Sequence, residues 1–187
     1  MAATISAGDL IKASSAAVYY YGSDGQRYVF PTESTYMSWY GDVSGVQTIT
    51  DAELAAIDIG GNVTVRPGTK LVKIDTDPKT YAVTPGGVLK HIASEARAIA
   101  LYGADWATRV IDINESFWVN YTKGTAVDSD VHPDGALVKY DGSDTVYYIE
   151  GGVKRAVSDD GMTTNNLRAE FAVTTAVTYS DGAGLTE

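Results

Sequence analysis

The sequence is poor in the residue types that most metal, redox and nucleic-acid functions require. Its 187 residues include no cysteine, which excludes disulfides, zinc–thiolate sites and thiol nucleophiles. Lysine and arginine number 14 against 24 aspartates and glutamates, so the formal net charge is −10. Binding to nucleic acid or to anionic lipid needs a basic surface, and we therefore expect neither. No apolar run approaches the roughly 20 residues that span a bilayer, so no membrane insertion is predicted.

Histidine is also scarce, and its scarcity bears on catalysis. The two histidines, His91 and His132, stand far apart in the sequence, whereas catalytic and transition-metal sites need several convergent side chains. The sequence contains no GxSxG serine-hydrolase motif, HExxH zinc motif, phosphate-binding P-loop or dinucleotide fingerprint. We therefore predict that the protein is not an enzyme and has no organic cofactor.

What the sequence does contain is one pattern of about sixty residues that occurs three times, a signal that takes precedence over other features because it determines the architecture. Each copy opens with a glycine and closes its first apolar run with a lysine, at residues 8–12, 68–73 and 135–139. A tyrosine-containing apolar run follows in each copy, at residues 18–21, 80–83 and 146–149. We predict three repeat units, at residues 8–62, 68–124 and 135–187.

The order of patterns within a unit predicts a β-rich α+β fold. Short runs of β-branched and aromatic residues separated by turn residues indicate a three-stranded antiparallel meander. The apolar spacing then becomes helical, as at residues 94–102, which end at Gly103. A further strand and a second small helix, at residues 51–57 in the first unit, complete the pattern. The third unit loses its helical half from residue 159 and is degenerate, as terminal copies often are.

The arrangement of the units stays open at this level. They stack in a line, close into a ring, or merge into one compact domain. Alternation along the second strand of each meander predicts which side chains point inward. The predicted inward set is Tyr19, Tyr81 and Tyr147 with Tyr21, Val83 and Ile149, and the predicted outward set is Tyr20, Ala82 and Tyr148.

Acidic residues in the linker before the third unit are the strongest metal signal. Asp128, Asp130 and Asp134 alternate with other residues in a polar segment, and carboxylate oxygens at such spacing are ligands for calcium. The segment lacks the glycine and the distal glutamate of the twelve-residue calcium loop. Acidic turns are also common because aspartate accepts hydrogen bonds from backbone amides. We list the three carboxylates as a possible calcium site.

Aromatic residues are the candidates for ligand binding. Thirteen tyrosines accompany only three phenylalanines and three tryptophans, and tyrosine and tryptophan combine a large apolar surface with a polar tip. On an open face such rings would stack on sugars, whereas near helices they also serve as core. The candidates for a glycan- or cell-wall-binding surface are Tyr20, Trp39, Tyr40, Trp106, Trp118 and Tyr148.

The combined motif resembles a repeat of large bacterial cell-surface proteins of the surface-layer or adhesin type. It consists of the Gly–x–Leu–Ile/Val–Lys opening, the tyrosine-centred strand, a glycine followed by a basic residue, and a helix ending in Tyr–Gly, as at Tyr40 and Tyr102. The resemblance covers residues 8–123 and the strand half of the third unit. It implies an extracellular, non-catalytic module for surface assembly or display, with partners that are further copies or other cell-surface proteins. Glycan or cell-wall binding is the alternative.

Overall fold

The structure, a computed structural model, describes residues 4–186. Over this range the chain is α+β and rich in strands, with three small mixed sheets and short helices, which confirms the predicted class. The chain divides into two compact units, Met1–Thr64 and Val65–Glu187. The first unit contains the first sheet, and the second unit contains the second and third sheets. Of the helices described, none has the length and apolarity needed to cross a membrane.

The first sheet is a meander with one parallel strand added at each edge. Its antiparallel core consists of β1 (Leu10–Lys12), β2 (Tyr19–Tyr21) and β3 (Arg27–Val29). Strand β4 (Val46–Thr48) pairs parallel with β1, and β5 (Ile59–Asn62) pairs parallel with β3. Helix α1 (Glu33–Trp39) precedes β4, and α2 (Asp51–Ala55) precedes β5.

The second sheet pairs its strands in the same order. Its meander consists of β6 (Leu71–Ile74), β7 (Asp77–Thr84) and β8 (Val88–His91). Strand β9 (Val110–Asp112) pairs parallel with β6, and β10 (Thr122–Lys123) pairs parallel with β8. Helix α3 (Glu95–Tyr102) precedes β9, and α4 (Glu115–Trp118) precedes β10.

The third sheet repeats most of this plan. Its strands are β11 (Leu137–Lys139), β12 (Tyr147–Glu150), β13 (Val153–Ala156) and β14 (Val173–Thr174), of which β14 is parallel to β11. Beyond β14, single parallel bridges join Lys154 to Asp181 and Val157 to Leu185 along the edge of β13.

The prediction that the third repeat unit, residues 135–187, loses its helical half needs a correction. Helix α5 covers Asp159–Thr164, where no helix was expected. The Ser158 hydroxyl accepts a hydrogen bond from the Gly161 amide, and this cap fixes the first turn despite the polar sequence. The second helix is indeed missing from residues 175–185, which are irregular apart from these bridges.

Equivalent hydrogen bonds open each meander. The amides of Gly8, Gly68 and Gly135 donate to the carbonyls of Tyr21, Val83 and Ile149, respectively. All three glycines have positive φ, at 98°, 74° and 95°, a conformation that other residues adopt only with strain. This backbone geometry explains why each copy of the sequence pattern begins with glycine.

Both faces of the first and second sheets are covered, which corrects the predicted faces. The predicted inward residues Tyr81, Val83 and Ile149 are buried, but Ala82, predicted outward, is only 3% exposed. In the second sheet Ala82 belongs to a cluster with Leu101 of α3, whereas Tyr81 belongs to a separate cluster against α4. Tyr20 likewise packs with Leu10 and Tyr36. In each of these two sheets, one helix covers one face and the next helix covers the other. The alternation of side chains along a single strand does not reveal that both faces are covered.

Candidate functional site

An open groove of about 410 Å³ lies beside the start of α3, and we call it the Trp106 groove. The volume lies within the roughly 300–1,000 Å³ of small-molecule sites. Its walls come from the first half of β7, the end of β8, the first turns of α3 and the loop after α3. The lining residues are Pro78, Lys79, Thr80, His91, Ile92, Ala93, Ser94, Glu95, Ala98 and Trp106.

The groove combines an aromatic surface with charges of both signs. Trp106 is partly buried and packs against the cluster that contains Ala98 and Leu101. The Lys79 side chain is 55% exposed, and its Nζ lies 3.8 Å from an oxygen of Asp77. Glu95 is exposed in the first turn of α3, and the Ser94 hydroxyl accepts a hydrogen bond from the Arg97 amide. The arrangement offers apolar contact together with donors and acceptors for a polar ligand.

The equivalent position in the first unit is filled by a protein ring. The Phe30 amide donates to Val18 as the Ile92 amide donates to Thr80, and counting along the helices from these bonds matches Tyr36 with Ala98. The Tyr36 ring is 5% exposed, lies 5.1 Å from the Phe30 ring, and donates a hydrogen bond to the Asp42 carbonyl. Burial raises the pKa of Tyr36, with a further contribution from the Asp42 charge.

The six predicted aromatic residues do not form one exposed platform. Tyr20, Trp39 and Tyr40 are partly buried against one core cluster of the first unit, where the Trp39 indole donates to the Thr64 carbonyl at 2.8 Å. Trp118 packs against Tyr81, with ring centroids 5.4 Å apart. These four residues therefore contribute to core packing.

Tyr148 and Trp106 complete the aromatic set. Tyr148 lies in β12 opposite Leu137 and Arg155, and burial raises its pKa. Trp106 is the one member of the predicted set that lines the Trp106 groove. Three-dimensional packing thus separates Trp106 from the other candidates, which the sequence pattern treats alike.

Two of the three predicted calcium ligands, Asp130 and Asp134, have protein partners for their carboxylates. The guanidinium of Arg97 pairs with the Asp130 carboxylate and donates to the Asp128 carbonyl. An Asp134 oxygen accepts from the Gly151 amide at 2.9 Å. Asp128 and Asp134 also line an open groove of about 300 Å³. Among residues 4–186, no three His, Asp or Glu side chains are arranged to hold a metal ion. Calcium binding therefore stays a prediction without a preformed site.

His132 has a structural role that the sequence did not reveal. Its side chain is 1% exposed. Its Nε2 lies 2.6 Å from the Leu101 carbonyl, which only accepts, so Nε2 carries the proton. Nδ1 then accepts from the Tyr179 hydroxyl at 2.6 Å, and that oxygen accepts from the His132 amide. Burial lowers the pKa of His132, an effect that the bond to Leu101 partly offsets.

These hydrogen bonds join three segments of the compact unit Val65–Glu187. His132 lies in the linker before β11, Leu101 at the end of α3, and Tyr179 in the irregular segment after β14. Both nitrogens of the neutral ring are hydrogen-bonded, one to Tyr179 and one to Leu101, so the ring links these segments inside the protein. His91, the other histidine, lies 5.5 Å from the Tyr81 ring. His91 also lines the Trp106 groove, together with Ser94 and Glu95.

Comparisons with known proteins give little further information. No protein-family model matches the chain, and no curated protein matches it. The chain is similar to one chain of a solved structure titled "Structure of the periplasmic assembly from the ESX-5 inner membrane complex, C1 model", with 8% identity and a TM-score of 0.24. The alignment spans 98% of this chain and 58% of that chain. So low a TM-score carries no inference about fold or function.

Proposed function

We propose that the chain is a non-catalytic structural or interaction module of a bacterial cell-surface protein, built from three copies of one repeat and contributing to surface assembly or display. The observation that carries the proposal is the recurring strand order: a meander whose first strand gains a parallel partner in each of the three sheets. Repeated units of this kind present extended surfaces for assembly. The sequence resemblance supports the extracellular location.

The use of reactive side chains agrees with this proposal. His132 is enclosed by protein partners, Lys73 pairs with Asp112 at 2.9 Å, and Arg155 pairs with Glu150 at 2.6 Å. These two basic side chains are thus paired with carboxylates on the adjacent strand of their own sheet. Charged side chains that pair with a neighbouring strand are typical of structural proteins. Active sites instead place several reactive side chains around a space that a substrate can enter.

The edges of the first sheet provide a route to self-association. Strands β4 and β5 are its outermost strands, and outer strands have backbone groups able to pair with another chain. Ile59 of β5 and Val43, which precedes β4, are both 63% exposed. Apolar side chains beside an open strand edge favour contact with a second copy or with another surface protein.

Molar mass in solution tests the proposal. Light scattering over about 10 μM to 1 mM protein should give masses that rise above the 19.8 kDa of the monomer. An Ile59→Lys variant should reduce this growth because a charge at a strand edge opposes pairing. Ile99→Lys is the control, since Ile99 is 44% exposed but lies on α3. Growth only with calcium would point to cation-linked assembly. A monomer at every concentration, with calcium or with chelator, would contradict assembly.

A further inference from the structure

The first and second sheets differ at one structurally matched position on the helix that follows the meander, Tyr36 in α1 and Ala98 in α3. In the first unit Tyr36 fills the space between α1, Phe30 and the loop at Asp42. In the second unit the matched residues are the smaller Ala98 and Ile92, and both line the Trp106 groove. A ring has been replaced by a methyl group, and the backbone hydrogen bond that marks the position is kept.

The loop after the helix changes together with the helix. In the first unit six residues, 40–45, separate α1 from β4, whereas in the second unit residues 103–109 separate α3 from β9 and include a 3₁₀ turn at Trp106–Arg109. This turn brings Trp106 to the groove. A large aromatic residue therefore lines the open space instead of filling it. Two coordinated changes, one on the helix and one in the loop, produce the groove.

We propose that the Trp106 groove binds one or two rings of a neutral saccharide. The indole supplies the apolar surface on which the C–H face of a sugar ring packs. Glu95 accepts hydrogen bonds from sugar hydroxyls, and Lys79 donates to sugar oxygens. Among the described residues of the lining, Lys79 is the one lysine or arginine, and Glu95 and the nearby Asp77 are both carboxylates, so the groove favours a neutral ligand over a uronic acid or a phosphate. This site goes beyond the structural role proposed above and does not depend on self-association.

The saccharide assignment rests on the composition of the lining. Small-molecule sites are apolar surfaces with a few directed polar groups. A purely apolar ligand would leave the exposed Glu95 and Lys79 without a role, and a charged ligand would be repelled by one of them. Thr80, which also lines the groove, adds a hydroxyl group to this set. A sugar ring, with one apolar face and a rim of hydroxyls, matches all of these groups.

The tryptophans provide a built-in reporter. Each has one indole N–H, and the three belong to different environments: Trp39 in the first unit, Trp118 against Tyr81, and Trp106 at the groove. We would titrate the full chain with cellotetraose and with the tetrasaccharide of N-acetylglucosamine, following the indole signals by ¹H–¹⁵N NMR. A saccharide in the groove should shift the Trp106 signal and leave Trp39 and Trp118 in place. The expected dissociation constant is in the range of about 0.1–10 mM for so open a site.

Two matched variants separate groove binding from surface effects. Ala98→Tyr places the residue of the first unit in the groove and should weaken binding at least about tenfold. Ala100→Tyr adds the same ring at an exposed position of the same helix and should leave affinity unchanged. Because Ala98 is buried, the larger residue carries a risk to folding. Glu95→Gln provides a second test, since Glu95 is exposed; it should weaken binding about tenfold with the fold intact.

Several results would overturn the proposal. One is the absence of any Trp106 shift with either saccharide at about 10 mM. Another is equal affinity in Glu95→Gln and the parent chain, or in the two tyrosine variants when both fold. A Trp106 shift with phenol but not with the saccharides would also overturn it, because the groove would then be an aromatic site. Light scattering in the same samples would report self-association independently.

Discussion

The first and second sheets share one strand order, but the faces that pack against α1 and α3 are filled in different ways. The first sheet packs that face with rings: Phe30 and Tyr36 lie 5.1 Å apart, and Tyr36 and Tyr40 lie 5.3 Å apart. The second sheet packs its face against α3 with Ala98, Leu101 and Tyr102, and an open groove lies beside Ala98. The backbone plan thus tolerates two different fillings. Positions where the two sheets differ are the places to look for a specific function.

The largest expected effect comes from removing the aromatic filling. Tyr36→Ala should lower the free energy of unfolding by about 3–5 kcal/mol, because a buried ring and its hydrogen bond to Asp42 are lost. The matched change in the second unit, Ala98→Gly, should lower it by only about 1 kcal/mol. Urea unfolding followed by circular dichroism would measure both. Similar losses for the two variants would mean that the matched helices do not differ in their packing.

The opening glycines provide the second comparison. An alanine at Gly8 or Gly68 must adopt positive φ, which costs about 1–2 kcal/mol at either position. A Cβ on Gly8 meets open space, whereas a Cβ on Gly68 would overlap the backbone of Gly135. Gly68→Ala should therefore lose about 1–3 kcal/mol more than Gly8→Ala. The same urea titration measures the difference, and equal losses would rule out the close approach of Gly68 and Gly135.

The third prediction concerns the buried His132. Near neutral pH, we expect it to change the free energy of unfolding less than the two preceding sets of substitutions do. Burial lowers the pKa of His132 in the folded chain, so the unfolded chain binds a proton first as the pH falls. The stabilisation by the neutral ring is complete above the unfolded pKa of about 6.5. It is lost below that pH, with a slope of at most about 1.4 kcal/mol per pH unit.

Unfolding free energies between about pH 7.5 and 5 would test this prediction. The chain should lose stability as the pH falls, and His132→Gln should flatten that dependence while lowering stability throughout. His91→Gln, which removes the other histidine, is measured beside it for comparison. A slope unchanged by His132→Gln would show that the ring titrates alike in the folded and unfolded chains. The groups facing the ring, Tyr102 and Tyr179, have pKa values raised by burial and stay neutral over this range.

Much of the fold follows from local sequence signals. The glycine openings, the turn residues and the hydroxyl caps at Thr32 and Ser94 specify the meanders and the helices α1 and α3 that follow them. These signals act within a few residues, so a single sequence displays them. The further strand that was predicted before the second small helix of the first unit is β4, whose β-branched residues mark it.

The parallel edge strands and the second covered face were less predictable. Strand β5 contains two glycines, and β10 has only two residues, so neither carries a strand pattern of its own. They pair because the meander presents an open edge, which is a tertiary effect. Ala82 was expected outside because alanine is small and variable, yet helix α3 buries it. Such burial depends on a partner element that alternation along one strand does not reveal.

The candidate site was predictable only in part. Trp106 was among the expected aromatic residues, but nothing local distinguishes it from Trp118. The difference arises from the replacement of Tyr36 by Ala98, which becomes visible only when the two helices are matched through their hydrogen bonds. His132 illustrates the opposite case. A lone histidine in a polar linker gives no sign of burial, because its partners Leu101 and Tyr179 are 31 and 47 residues away.

Hydrogen exchange at three amides tests the central claim that one strand plan recurs in all three sheets. The amides of Phe30, Ile92 and Val157 donate to the carbonyls of Val18, Thr80 and Val146 at 3.0, 2.9 and 3.0 Å. We predict that NMR-detected exchange is slow at all three, compared with exposed loop amides of the same sheets. If any one exchanges as fast as a loop amide, its meander is open at that point, and the claim of a common plan is contradicted.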